Sequence, residues 1–158
     1  YADAYNTAIK IIREFYQGWI ICDLSGWGQE TKVAAEASSL ISDDKIIFSA
    51  HIYPSAYNAA TGNYLQVSDL DYLKNVGKRP VIVGEFGSKP SSGKADWSAL
   101  IDHAKSLEWT VLAWAWNGDG GDAEQHFMNM VAPAWYENPK PTKFSKSDYF
   151  DEVYDKLS

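Results

Sequence analysis

The chain of 158 residues has little cysteine and little positive charge. Its one cysteine, Cys22, excludes an internal disulfide framework and a cysteine-based zinc site. Its 14 Lys and Arg residues are outnumbered by 21 Asp and Glu residues, and no basic run is present that could hold nucleic-acid phosphates or an anionic membrane surface. No apolar run approaches the roughly 18 residues that cross a bilayer. We therefore expect neither a nucleic-acid partner nor a membrane partner.

The sequence also lacks the motifs of a bound cofactor or metal. It contains no glycine-rich phosphate loop, no Gly-x-Ser-x-Gly elbow and no cysteine–histidine pair. His103 and His126 lie far apart in the sequence and lack the spacing of metal ligands. We expect no cofactor and no metal site.

The start of the chain has neither an initiator methionine nor a positively charged, apolar signal segment. We therefore expect a processed or excised piece of a longer polypeptide. Aromatic residues, in contrast, are abundant, because 7 Trp, 10 Tyr and 6 Phe make up 15% of the sequence. Such an excess is typical either of a large core or of a surface that stacks on flat apolar ligands such as sugar rings.

Helical and strand patterns alternate along residues 1–118. Four apolar runs, at 19–22, 46–50, 81–83 and 110–113, are continuous rather than alternating, which is typical of parallel strands covered on both faces. Helical stripes of apolar residues precede the first run and separate the others, and the one at 97–104 is expected to be capped by Asp96. The spacing of about 30 residues suits repeated strand–helix–strand units. The sequence thus predicts an α/β fold with a parallel sheet.

Residues 119–158 follow a different pattern, which is irregular and contains Pro133, Pro139 and Pro141. Apolar residues from Phe150 to Leu157 predict a terminal helix in this tail. We treat residues 1–158 as a single segment made of a regular core, 1–118, and this irregular tail, 119–158.

Polar and aromatic residues follow each predicted strand. They are Asp23, then His51 and Tyr53, then Glu85, then Trp114 and Trp116. The carboxyl ends of parallel strands meet at one edge of a sheet, where active sites collect. The sequence therefore predicts a functional site at this edge, although scattered polar residues at strand exits would give the same pattern.

Glu85 is the most unusual of these residues. It directly follows an apolar strand, where burying a carboxylate costs several kcal/mol unless it is paired or hydrogen-bonded. It is either a catalytic carboxylate or a buried glutamate that bridges neighbouring strands. Strand alternation places His51 and Tyr53 on one face, and Trp114 and Trp116 on one face as well. The two indoles either stack on a sugar ring or fill a core.

Four segments together resemble the C-terminal half of a glycoside hydrolase family 5 catalytic domain, and in particular the bacterial endo-β-1,4-mannanases. They are ICDLSGWGQ at 21–29, FSAHIY at 48–53, PVIVGEFG at 80–87 and LAWAWNG at 112–118, in the family's order and spacing. The resemblance covers residues 1–118. It implies strands five to eight of a (β/α)8 TIM barrel that hydrolyses β-linked polysaccharides with retention at the anomeric carbon.

The resemblance also implies a role for each matching residue. Glu85 corresponds to the catalytic nucleophile, Tyr53 to the residue that hydrogen-bonds it, and His51 to the neighbour that shapes the cleaving subsite. Trp116, or Trp114, corresponds to the tryptophan that stacks under the sugar.

Two further residues, Trp27 and Gln29, correspond by resemblance to a loop that lines the substrate cleft. Trp27 lies between two glycines, in a setting that core packing explains less easily than it explains the other tryptophans. The likeness of this loop, 26–29, and of segment 113–116 to the mannanases favours mannan over glucan as the substrate, so endoglucanase is the second candidate activity.

One essential residue of the family has no counterpart in the sequence. Retaining hydrolysis needs two carboxyl groups about 5–5.5 Å apart, and the family's acid/base glutamate ends the fourth strand, ahead of the matching region. We therefore expect an N-terminal half-barrel as a partner, as a separate chain, a removed segment or a second copy. Alone, the chain is expected to be inactive. Its acidic composition and abundant aromatic residues are compatible with secretion, so we expect an extracellular, secreted protein.

Two alternatives follow from the missing carboxyl group. The chain could be a non-hydrolytic carbohydrate-binding module, or an inactive half-barrel fragment. A fragment of this kind could also fold by itself as a flavodoxin-like open sheet.

Overall fold

A computed structural model describes residues 1–120, 128–137 and 139–157 of the chain. Its helices are α1 (Ala2–Ile12), α2 (Ser25–Gly28), α3 (Thr31–Ala37), α4 (Val67–Tyr72), α5 (Trp97–Ser106) and α6 (Asp148–Tyr154). A short 3₁₀ turn (Ser38–Leu40) follows α3, and a wider helical turn (Leu73–Gly77) follows α4. Its strands are β1 (Ile20–Asp23), β2 (Ile46–Ile52), β3 (Tyr57–Asn58), β4 (Asn63–Tyr64), β5 (Val81–Phe86), β6 (Thr110–Ala113), β7 (Val131–Ala132) and β8 (Ser145–Lys146).

The four predicted apolar runs form one parallel sheet in the order β1-β2-β5-β6. The predicted strand–helix alternation and the parallel sheet are therefore confirmed. The predicted cap of α5 is also confirmed, because the backbone N–H of Ala99 donates to Asp96 Oδ1 at 3.0 Å. In the described parts of the chain, no helix combines the length and the apolar character needed to span a membrane.

The core lies on one face of this sheet. Alternate strand residues point to that face and pack with the apolar sides of the helices. Its most deeply buried members include Cys22, Phe48, Ala50, Val83, Leu70, Leu73, Leu100 and Ile101. Burial raises the pKa of the Cys22 thiol to about 11, so this cysteine remains a neutral core residue.

The opposite face of the sheet is uncovered. Ile21 on β1 is 58% exposed and Leu112 on β6 is 49% exposed, and both point away from the core. The described helices pack on one face only, so they do not supply the second cover that continuous apolar runs favour. Within the described ranges β1 and β6 also have no partner strand on their outer sides. The sheet thus presents an apolar face and two open edges.

A second apolar surface lies at the end of α1 and just before β1. Ile9 on α1 is buried, but Ile11 is exposed, Phe15 beyond the helix is 85% exposed, and Tyr16 and Trp19 are about half exposed. The predicted helical stripe is therefore only partly covered. We call these exposed residues, Ile11, Phe15, Tyr16 and Trp19, the α1 patch.

The tail folds back onto the carboxyl edge of the sheet. Ala115 N–H donates to the Met128 carbonyl at 2.8 Å, and Met130 N–H donates to the Ala115 carbonyl at 2.9 Å. The predicted terminal helix is present as α6, which buries Tyr149 and Val153. The tail also contains the short antiparallel pair β7–β8, which the irregular sequence pattern did not predict.

Candidate functional site

Glu85 is turned towards the carboxyl edge by a bulge in β5. The pairing with β2 shifts at this point, so that His51 pairs with Glu85 and Gly84 is the extra residue. A bulge of this kind re-aims the side chain that follows it. Val83 and Phe86 consequently both face the buried core, at a spacing of three, while Glu85 emerges on the side of His51. The bulge brings the carboxylate into the site.

Tyr53 holds the Glu85 carboxylate directly. Its hydroxyl donates a hydrogen bond to Glu85 Oε2 over 2.8 Å. Burial, followed by this contact with Glu85, raises the pKa of the Tyr53 phenol well above its usual value. Tyr53 therefore keeps its proton at neutral pH and remains a hydrogen-bond donor to the carboxylate.

His51 lies between two carboxylates. Its Nδ1 is 3.6 Å from Glu85 Oε2, and its Nε2 is 3.2 Å from Asp23 Oδ1. The backbone of Gly28, at a φ of 79°, lies against the imidazole, because a Cβ at this position would be 2.4 Å from His51 Cγ. The ring plane is thus fixed by a glycine that no larger residue can replace without moving the ring.

The short turn α2, just before α3, is left-handed at its centre and places Trp27 in an unusual conformation. Gly26, Trp27 and Gly28 have successive positive φ angles of 60°, 62° and 79°. A residue with a side chain pays roughly 1–2 kcal/mol for the left-handed region. The indole nevertheless points outward, with 91% of Trp27 exposed, and it lines the cleft described below.

Gln29 also lines the cleft, but its side-chain oxygen accepts the Tyr57 backbone N–H at 2.9 Å. The neighbouring Glu30 is buried and accepts the N–H groups of Ala59 at 2.7 Å and Ala60 at 3.2 Å. Both side chains therefore fasten this turn to the chain around the β3–β4 hairpin. Sequence reasoning assigned no such structural role to either residue.

Of the two predicted tryptophans, Trp114 lies in the cleft described below and Trp116 does not line it. Strand β6 ends at Ala113, so the period of two that placed Trp114 and Trp116 on one face does not extend across them. Trp114 lines the cleft, and its carbonyl accepts a hydrogen bond from the Tyr149 hydroxyl. Trp116 is 64% exposed and is not among the described residues that line the cleft.

These side chains surround one cleft of about 660 Å³. Besides Glu85, His51, Tyr53, Asp23, Trp27, Gly28, Gln29 and Trp114, its lining contains Leu24, Ser55, Lys89, Pro90, Asp119 and Met128. Sequence reasoning assigned none of these six to the site. Leu24 and Ser55 follow β1 and β2, Lys89 and Pro90 lie in the loop after β5, and Asp119 and Met128 belong to the tail. The described residues contain no group of three or more His, Cys, Asp or Glu side chains placed to hold a metal ion, and His126 lies outside them.

Comparison with known proteins gives the site a family context. The family model of Cellulase (glycosyl hydrolase family 5) matches residues 1–120. A mannan endo-1,4-beta-mannosidase of Streptomyces lividans is 33% identical over 140 residues, covering 83% of this chain and 34% of that protein. The beta-mannanase/endoglucanase A of Caldicellulosiruptor saccharolyticus is 28% identical over 144 residues, covering 86% of this chain and 10% of that protein.

The fold comparison agrees. The β-mannanase from Thermomonospora fusca superimposes with a TM-score of 0.68 at 24% sequence identity, covering 97% of this chain and 48% of that one. The chain thus spans about half of that mannanase and about a third of the Streptomyces protein. Its parallel sheet is consistent with part of a TIM barrel. The chain belongs to glycosyl hydrolase family 5.

Proposed function

We propose that this chain carries the nucleophile of a retaining glycoside hydrolase, and that Glu85 is that nucleophile. The observation that supports this most strongly is the 2.8 Å hydrogen bond from Tyr53 to Glu85 Oε2 inside a cleft lined by the indoles of Trp27 and Trp114. A carboxylate held in one orientation beside sugar-stacking rings is what attack on an anomeric carbon requires.

The proposed reaction has two displacements at one carbon. In the first, a Glu85 oxygen bonds to the anomeric carbon while the glycosidic C–O bond breaks, and an acid protonates the departing oxygen. In the second, water activated by the same acid/base group attacks that carbon and releases Glu85. The Tyr53 hydroxyl orients the carboxylate in the first step, and in the second step it donates again to the carboxylate as Glu85 is released.

The acid/base group is proposed to come from a complementary half-barrel. Of the other two carboxylates that line the cleft, Asp23 already contacts His51, and Asp119 is buried. The uncovered sheet face, the open edges of β1 and β6, and the α1 patch are surfaces that four further strand–helix units would cover. In this proposal the chain forms strands five to eight and its partner forms strands one to four.

The proposed substrate is a β-1,4-linked mannan cleaved at internal bonds. Mannan activity stands in the names of the Streptomyces and Thermomonospora proteins, and the Caldicellulosiruptor name also includes endoglucanase, which makes glucan the second candidate. The indoles present flat faces that suit the C–H faces of pyranose rings. Because a polysaccharide substrate lies outside the cell, the protein is proposed to be secreted.

Complementation tests this function. The N-terminal barrel half of the Streptomyces lividans mannosidase is joined to Tyr1, and mannan is given to this chimeric barrel and to the 158-residue chain alone. We expect the folded chimera to release mannooligosaccharides whose new reducing ends are first seen by NMR as the β anomer. The chain alone should release none. First appearance of the α anomer would contradict retention, and binding without hydrolysis by a folded chimera would favour a carbohydrate-binding module instead.

A further inference from the structure

We infer that Asp23 is a positioning residue for the Glu85 site, acting through His51; this rests on the proposed function of Glu85. Asp23 ends β1, and its Oδ1 lies 3.2 Å from His51 Nε2. The other ring nitrogen, Nδ1, lies 3.6 Å from Glu85 Oε2. The three side chains form a line across the carboxyl edge, from β1 through β2 to β5.

Asp23 decides which edge of the imidazole faces Glu85. The Gly28 backbone holds the plane of the ring, but a plane permits two orientations related by a half turn about the Cβ–Cγ bond. In the observed orientation Nε2–H donates to Asp23 and a nitrogen faces Glu85. The flipped ring would turn a carbon towards each carboxylate and would lose the hydrogen bond to Asp23. Asp23 therefore selects the orientation that keeps a polar ring atom beside Glu85.

The position of Asp23 is itself fixed from outside the sheet. The hydroxyls of Tyr1 and Tyr5 on the α1 side both donate to the Asp23 carbonyl, over 3.2 Å and 2.7 Å. Their rings pack edge to face with centroids 5.0 Å apart. Two tyrosines thus hold the end of β1, so that the Asp23 carboxylate meets the imidazole although more than half of that side chain is exposed.

The chain offers a matched control for this pair. On the helical side of the molecule, His103 Nε2 lies 2.8 Å from Asp71 Oδ1, and that carboxylate is also substantially exposed. Neither residue lines the cleft. Removing the Asp71 carboxylate therefore breaks an equivalent aspartate–histidine contact without touching the site.

Kinetics of the chimeric barrel test the inference. Asp23→Ala should lower kcat about 10-fold, as expected for a lost hydrogen bond to a charged group, and should leave KM within about twofold. Asp23→Asn, which keeps an oxygen acceptor for Nε2–H, should recover most of that loss, and Asp71→Ala should match the unsubstituted chimera. An unchanged kcat in Asp23→Ala, or an Asp23→Asn variant as slow as Asp23→Ala, would overturn the inference.

A second measurement on the 158-residue chain separates this inference from the proposed function. Long-range ¹H–¹⁵N NMR reports which ring nitrogen of each histidine carries the proton. In Asp23→Ala the two nitrogen signals of His51 should move towards each other as the ring samples both tautomers, while His103 responds only to Asp71→Ala. If the two nitrogen signals of His51 are unchanged in Asp23→Ala, the inference is overturned. An inactive chimera with a responsive His51 would instead count against the proposed function alone.

Discussion

Glu85→Gln is expected to reduce kcat of the chimeric barrel by at least about 1,000-fold, because an amide cannot form the glycosyl–enzyme bond. Glutamine has nearly the shape of glutamate and can still accept the Tyr53 hydrogen bond, so the melting temperature should change little. Initial rates on mannan, with thermal unfolding of the same samples, measure both effects. Glu108→Gln, at the opposite end of the sheet just before β6, is the control and should keep full activity.

A small nucleophile should restore part of the lost reaction. In Glu85→Ala the vacated space next to Tyr53 can admit azide, which attacks the anomeric carbon from the side where the carboxylate stood. With an aryl mannoside, whose leaving group needs little protonation, the expected product is the α-mannosyl azide. A β-mannosyl azide, or wild-type hydrolysis by Glu85→Gln, would contradict the assignment of Glu85 as nucleophile.

Gly28→Ala is expected to have the second largest effect, about a 100-fold fall in kcat/KM. The new Cβ would lie 2.4 Å from His51 Cγ and 2.6 Å from Nδ1, so the imidazole must leave its place beside Glu85. A position at φ 79° adds roughly 1–2 kcal/mol of backbone strain for alanine. Initial rates and the free energy of unfolding in urea measure the two consequences separately.

Gly62→Ala separates strain from displacement. Gly62 has a similar φ of 73°, yet the nearest atom to its added Cβ is the Tyr57 hydroxyl at 4.0 Å. This variant should lose a similar strain contribution to stability while keeping its activity in the chimeric barrel. Equal activity losses in Gly28→Ala and Gly62→Ala would show that backbone strain, and not displacement of the His51 imidazole, causes the loss.

The sheet could be predicted from the sequence because its signals are local. Each continuous apolar run, such as 81–83, forms a strand from its own composition, and the spacing of about 30 residues leaves room for one helix between strands. The Asp96 cap is local in the same way. The apolar runs by themselves did not reveal the uncovered face. A strand buried on both faces has the same continuous apolar sequence whether its second face packs against this chain or against a partner.

The site was harder to predict because it depends on pairing between distant segments. The bulge that turns Glu85 towards His51 arises from the register between β2 and β5, and Gly84 was its only local sign. Trp116 was placed with Trp114 by extending strand alternation past the point where β6 ends. Met128 enters the cleft through backbone hydrogen bonds to residue 115, which an irregular sequence pattern does not reveal.

The most direct test of Glu85 is to trap its covalent bond to sugar. In a 2-deoxy-2-fluoro-β-mannosyl fluoride the 2-fluorine slows both displacements, but the fluoride leaving group keeps the first one fast, so the glycosyl–enzyme should accumulate in the chimeric barrel. Mass spectrometry should then show one added fluoroglycosyl group, on the proteolytic peptide that contains Glu85. A label on any other carboxylate, or no label on a barrel that hydrolyses mannan, would contradict the assignment.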